Sequence, residues 1–170
     1  MSSTDEQAIV RAGKYLTFQL DDEQFGIDIM LVKTIIGLMD ITKVPKMPGY
    51  VRGVINLRGM IIPVVDLRLK FGMKMAENTR ETTIIVVEVK FESRQEQIGV
   101  LVDRVSEVLD ITEDDIEDAP TLYASLETNF IIGMAKTKKR VISLLSIDRV
   151  LSMQDIIKLG ELSQSSNLQE

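Results

Sequence analysis

Histidine, cysteine and tryptophan are all absent from the 170 residues, and aromatic side chains make up only 5%. Without His and Cys the chain lacks the usual general base, thiol nucleophile, histidine phospho-acceptor and soft metal ligands. Disulfides are excluded, which fits a reducing compartment. No uncharged run exceeds eight residues, far short of the roughly 20 apolar residues of a membrane-spanning helix. The first residues form no basic and apolar leader. A cytoplasmic location without direct membrane insertion is therefore expected. The glycines carry no phosphate-cradling motif, because Gly49, Gly53 and Gly59 lack the following lysine at the required spacing. The carboxylate pairs Asp21-Asp22 and Asp114-Asp115 sit among turn residues, where charge keeps a loop wet. The acidic run Glu113 to Asp118 lacks the interior glycine and spaced distal glutamate of a calcium loop and reads as a solvated loop. No catalysis, cofactor or metal is expected.

What is present belongs to an ordinary globular chain, 45% hydrophobic and 27% charged, with length for one substantial core or two small ones. Twenty basic residues stand against 26 acidic ones, a net charge of −6 that repels polyanions unless basic groups are segregated. Lys136, Lys138, Lys139 and Arg140 do cluster, but between two apolar runs and without aromatics for base stacking, so a solvated hairpin turn is expected and nucleic acid is not.

Gly53 to Leu67 is the most informative stretch. Val54, Ile55 and Leu57 precede Arg58-Gly59, and Ile61, Ile62, Val64 and Val65 follow, which predicts a hairpin with a charged tip. Pro63 lacks an amide donor and places its strand at a sheet edge or on a bulge. Upstream, Tyr15 to Leu20 alternates as a strand buried on one side, turns at Asp21 to Gln24 and returns as Phe25 to Ile29. Met30 to Ile36 fits either one helical turn or a bent strand. Two prolines make Lys43 to Gly49 a loop, and Tyr50-Val51-Arg52 fits a short helix. Thr82 to Val89 and Ile98 to Val102 form a second hairpin with a longer polar tip over Glu92 to Gln97. Asp103 to Leu109 suits a short helix, and Ile147 to Leu159 has helix-compatible apolar spacing.

The sequence repeats itself. Gly26-Ile27-Asp28-Ile29, then Val32 and Ile35, then Asp40-Ile41-Thr42 is echoed by Gly99-Val100-Leu101-Val102, Val105 and Val108, and Asp110-Ile111-Thr112. Gly53 to Asp66 is answered by Gly133 to Asp148. Two echoes in one order imply a duplicated module.

As a run of residues, Gly53 to Leu67 resembles the signature of the CheW-type chemotaxis coupling proteins, and the similarity extends from about Lys14 to Leu159. The resemblance implies a mainly β fold of two small SH3-like five-stranded barrels packed side by side with a few short helices. Loose ends are expected at 1–13 and 161–170 around a domain at 14–160, with repeats near 14–75 and 76–150 that exchange strands or a helix. It also implies a non-enzymatic adaptor that joins chemoreceptor cytoplasmic tips to the regulatory domain of a CheA-type histidine kinase, recruited to receptor clusters at the membrane. The matching receptor-binding positions are Val32, Thr34, Gly53, Asn56 and Arg58. Arg58 leads, since a guanidinium offers five donors and a permanent charge; its structural alternative is an ion pair with Asp66 or Asp28. The kinase-facing positions are Gly99, Val102 and Val105, each of which also fits a barrel interior. One departure stands out: the family commonly has Val-x-Glu-Ile followed by arginine, whereas this chain has Val32-Lys33-Thr34-Ile35-Ile36. That loss of both charges motivates an alternative, an adaptor for a sister pathway governing surface motility or gene expression. A small-barrel module binding nucleic acid or a peptide is a further alternative.

Overall fold

A computed structural model of the protein describes residues 12–91, 94–118, 130–137 and 139–151. Eleven strands and two short α-helices are described: β1 Gly13–Leu20, β2 Glu23–Asp28, β3 Val32–Gly37, β4 Val51–Leu57, β5 Met60–Asp66, α1 Leu67–Lys70, β6 Thr83–Phe91, β7 Arg94–Val102, β8 Arg104–Ile111, β9 Ile116–Asp118, β10 Ile131–Lys136, β11 Val141–Leu145 and α2 Ile147–Val150. The termini at 1–11 and 152–170, including most of the helix expected up to Leu159, lie outside the described residues, as do Glu92, Ser93 and Lys138.

The chain forms two compact units. Unit one comprises the described part of Met1–Ile29 with Ser106–Val150; unit two comprises Met30–Val105 with Leu151. Unit one has a six-stranded sheet in the order β8-β1-β2-β11-β10-β9, and unit two a five-stranded sheet in the order β3-β6-β7-β5-β4. In unit one the edge strands β8 and β9 are separated by only residues 112–115, so the sheet must curl back on itself. In unit two the edges are tied by Thr42, whose N–H donates to the Val54 carbonyl at 2.8 Å and whose carbonyl accepts from the Val54 N–H at 2.9 Å. Curling removes the exposed edges that short Val- and Ile-rich strands otherwise present.

Both units follow one plan. An antiparallel hairpin, β1-β2 or β6-β7, lies parallel to the second strand of another hairpin, β11 or β5. A glycine sits at each parallel junction: Gly26 pairs with Leu144, and Gly99 with Val64. On their other side Leu144 and Val64 pair with Gly133 and Gly53, each next to a β-bulge. The row glycine–aliphatic–glycine thus crosses each sheet once. The cores match too: Ile55, Ile62, Val64, Ile84, Val86 and Leu101 fill unit two, and Tyr15, Ile111, Ala135, Ile142 and Leu144 fill unit one. A methyl at Gly99 would lie 2.8 Å from Ile84 Cγ2, and at Gly26 3.2 Å from Leu144 Cδ2. Small interiors leave no room for a side chain there.

Several expectations are corrected. Strand β1 is buried on both faces, Tyr15 and Thr17 as well as Leu16, Phe18 and Leu20, so its alternation does not mark a wet side. Asp103 to Leu109 is strand and not helix: β8 pairs with β1, and the buried Thr17 hydroxyl donates to the Glu107 carbonyl at 2.7 Å and accepts the Glu107 N–H at 3.1 Å. Ladder pairing overrides a weak helical periodicity. Tyr50 to Arg52 is not helical, since β4 starts at Val51. The Ile29–Leu31 3-10 turn followed by β3 satisfies both readings of Met30 to Ile36. The β6-β7 tip is two residues long, because pairing continues out to Phe91 opposite Arg94. The acidic run splits into a 3-10 turn, Glu113–Asp115, and β9, which pairs with β10. Pro63 lies in an interior strand without a bulge of its own. Its partner Val54 gives both backbone groups to Thr42, and the β5-β7 ladder begins one residue later at Val64, so the missing N–H falls where neither ladder calls on it.

Candidate functional site

The β4-β5 hairpin carries the charged tip. Leu57 pairs with Met60, leaving Arg58 and Gly59 as a two-residue loop with φ of 54° and 85°. Positive φ at both positions defines a type I′ turn, whose twist matches that of the strands. Gly59 adopts it at no steric cost; Arg58 does so as a non-glycine residue. The turn is closed by Asn56, whose Oδ1 accepts from the Gly59 N–H at 2.9 Å. Arg58 is exposed and forms no ion pair with a described residue, so its guanidinium is held out on a fixed turn.

The alternative reading of Arg58, an ion pair with Asp66, is not realised. Asp66 is buried, pairs with Arg52 Nη1 at 2.9 Å, and accepts at the start of α1 from the N–H groups of Arg68 at 3.0 Å and Leu69 at 3.4 Å. Sequence reasoning missed Arg52 because an arginine fourteen residues from its partner becomes its neighbour only when the hairpin closes. The signal was the Asp-Leu-Arg-Leu step after β5, an N-cap pattern.

Of the expected receptor positions, all five fall in unit two. Val32 and Thr34 lie half-buried on edge strand β3, and Gly53, Asn56 and Arg58 on the hairpin of the opposite edge, β4. Gly53 is buried at φ 139°, and a methyl there would sit 2.1 Å from the Thr42 carbonyl oxygen; only glycine allows that approach. Its contribution is to hold the edges together and not to offer surface. Ile36 packs against the unit-two core. Lys33 pairs with Glu88 at 3.0 Å. Exposed apolar side chains on these segments were not singled out from sequence: Met30 is 83% exposed, Met60 51% and Ile35 43%.

The kinase-facing positions fare differently. Gly99 and Val102 are interior to the described structure, so neither presents a side chain to a partner, and Val105 is half-buried. Among the described residues no group of three acidic side chains could hold a metal ion, and no helix is long and apolar enough to cross a membrane.

A model of the CheW-like domain matches residues 14–155. The chemotaxis protein CheW of Rhizobium meliloti (strain 1021) is 36% identical over 155 residues, 86% of this chain and 97% of the relative. That of Klebsiella aerogenes is 33% identical over 152 residues, covering 89% of each. The crystal structure of the scaffolding protein TtCheW from Thermoanaerobacter tengcongensis superposes with a TM-score of 0.74 at 34% identity, over 85% of this chain and 95% of that one.

Proposed function

The chain belongs to the CheW-like domain family, and on that premise we propose how this non-enzymatic chemotaxis scaffolding protein meets its partners. Unit two docks the cytoplasmic tip of a chemoreceptor through Arg58, with Val32, Thr34 and Asn56 on the same unit, while a CheA-type histidine kinase binds through its regulatory domain. Complex formation recruits the protein to receptor clusters at the membrane. Coupling requires no chemistry: each partner biases the other's conformational equilibrium by about 1–3 kcal/mol, the usual scale of allosteric coupling, and the effect is reciprocal.

The observation that carries the reading is Arg58, a permanent cation fixed at an exposed turn and unused by the fold. Arg58→Ala is expected to leave the fold and kinase binding intact and to abolish capture of receptor-tip fragments in a pull-down with both partners from one genome. Loss of folding, or unchanged receptor capture, refutes it. Thr34, which replaces the family's common glutamate, supports a second reading in which the partners belong to a sister pathway. Receptor tips of that pathway would then be captured in preference to those of chemotaxis.

A further inference from the structure

Unit one carries a polar groove that the adaptor reading does not use. It has a volume of about 560 Å³ and runs along the junction of β2 and β11, lined by Gln19, Asp22, Glu23, Arg140, Val141 and Ser143. Gln24 and Arg140 also line a second hollow of about 370 Å³ that reaches Lys139. The parallel register, Ile142 beside Gln24 and Ser143 beside Phe25, brings the starts of both strands to one end of the sheet, where Arg140 and the Asp22–Glu23 pair line the same groove. Groups of opposite charge therefore line one groove.

Those charges do not pair. Arg140 and Lys139 form no ion pair with a described residue, and neither do Asp22 and Glu23. Other cations of this unit behave differently: Lys136 reaches Glu117 at 2.6 Å and Lys14 reaches Asp110 at 3.1 Å. Between the unpaired groups Val141 stands 58% exposed, an apolar contact in a charged frame. A guanidinium recognises a carboxylate through its fork of donors, and the acidic rim beside it rejects a ligand that is anionic throughout.

We propose that this groove binds an extended segment of a partner protein that presents a carboxylate and an ammonium on one face, the acid to Arg140, the base to Asp22 and Glu23, and the methylene stem of the base over Val141. In an extended chain residues i and i+2 share a face, about 6.8 Å apart, so the motif is acid–x–base, with the middle side chain turned away from the groove. The surface is separate from the Arg58 turn and does not depend on its role.

The test is an NMR titration of the isotope-labelled full chain with the blocked peptide Ser-Glu-Val-Lys-Ser and its all-acidic counterpart Ser-Glu-Val-Glu-Ser. Saturable shifts at the Gln24, Val141 and Ser143 amides with the first peptide, weakened about tenfold or more by Arg140→Glu and largely restored by Arg140→Lys, are expected. Undisturbed resonances from β8 and β9, the edge strands of the same unit, show that the variants fold. The proposal is overturned if no saturable shift occurs, if Arg140→Glu binds as well as the unaltered chain, or if the all-acidic peptide binds equally well.

Discussion

Unit one is assembled from two ends of the chain and unit two from its middle, yet both arrive at the same glycine–aliphatic–glycine row and the same pair of hairpins. Local sequence therefore sets the hairpins, while the assignment of strands to units follows from which partners are in reach. The units differ where each hairpin ends. In unit two β5 leads to a buried Asp66 that caps α1 and holds Arg52. In unit one β11 leads to Ser146, whose backbone carbonyl alone accepts, from Arg149 at 3.1 Å and Val150 at 2.9 Å. Leu67 and Ile147, the next residues, are equally buried. The hydrophobic plug was kept and the polar anchor was not.

That contrast is open to attack by substitution. Gly53→Ala should have the largest effect, about 4 kcal/mol or more, because the added carbon meets backbone and the φ of 139° resists any side chain; the measurement is denaturant unfolding, and a loss below 1 kcal/mol removes the claim that Thr42 must close unit two. Asp66→Ala should cost about 3 kcal/mol by stranding Arg52 and uncapping α1, whereas Ser146→Ala should stay within about 0.5 kcal/mol. Equal losses at the two sites would erase the distinction. Gly99→Ala should destabilise by about 1–3 kcal/mol, and more than Gly26→Ala, since its nearest obstacle is closer; the reverse order in thermal melts would show that unit one is the tighter core.

The smallest effect concerns Asp148, in the first turn of α2. Asp148 stays exposed, but partial desolvation by its neighbours raises its carboxyl above the ordinary value of 3.8, so the folded state holds that proton more tightly than the unfolded chain. Stability tied to it is present at acid pH and lost as pH rises through the raised value. Asp148→Asn should therefore give a slight gain at neutral pH that fades towards pH 3, read from melting temperatures across that range. A gain independent of pH would point to some other cause.

Much of this was legible in the residues. Arg58-Gly59 marked its hairpin because turn chemistry is local, and the echo of Gly26 by Gly99 marked equivalent junctions before any strand was placed. Less legible was what depends on distant partners. Val105, Val108 and Leu109 have spacing compatible with a helix, and only pairing with β1 decides for strand. Pro63 reads as an edge residue until Thr42 takes over the backbone groups of Val54. At the candidate site, Arg58 was identified by its charge at a turn, while Gly99 and Val102 could not be separated from core positions, because apolar residues on short strands look alike whichever way they face.

The split origin of unit one bears on how the chain is made. During synthesis every strand of unit two is complete once residue 102 has emerged, but β1 and β2 wait for β11, which ends at Leu145. At about 5–20 residues per second the first hairpin remains without its parallel neighbour for some seconds, with Leu16, Phe18 and Leu20 unburied. A chain cut short before β11 would hold every strand of unit two but leave the β1-β2 ribbon without its parallel neighbour.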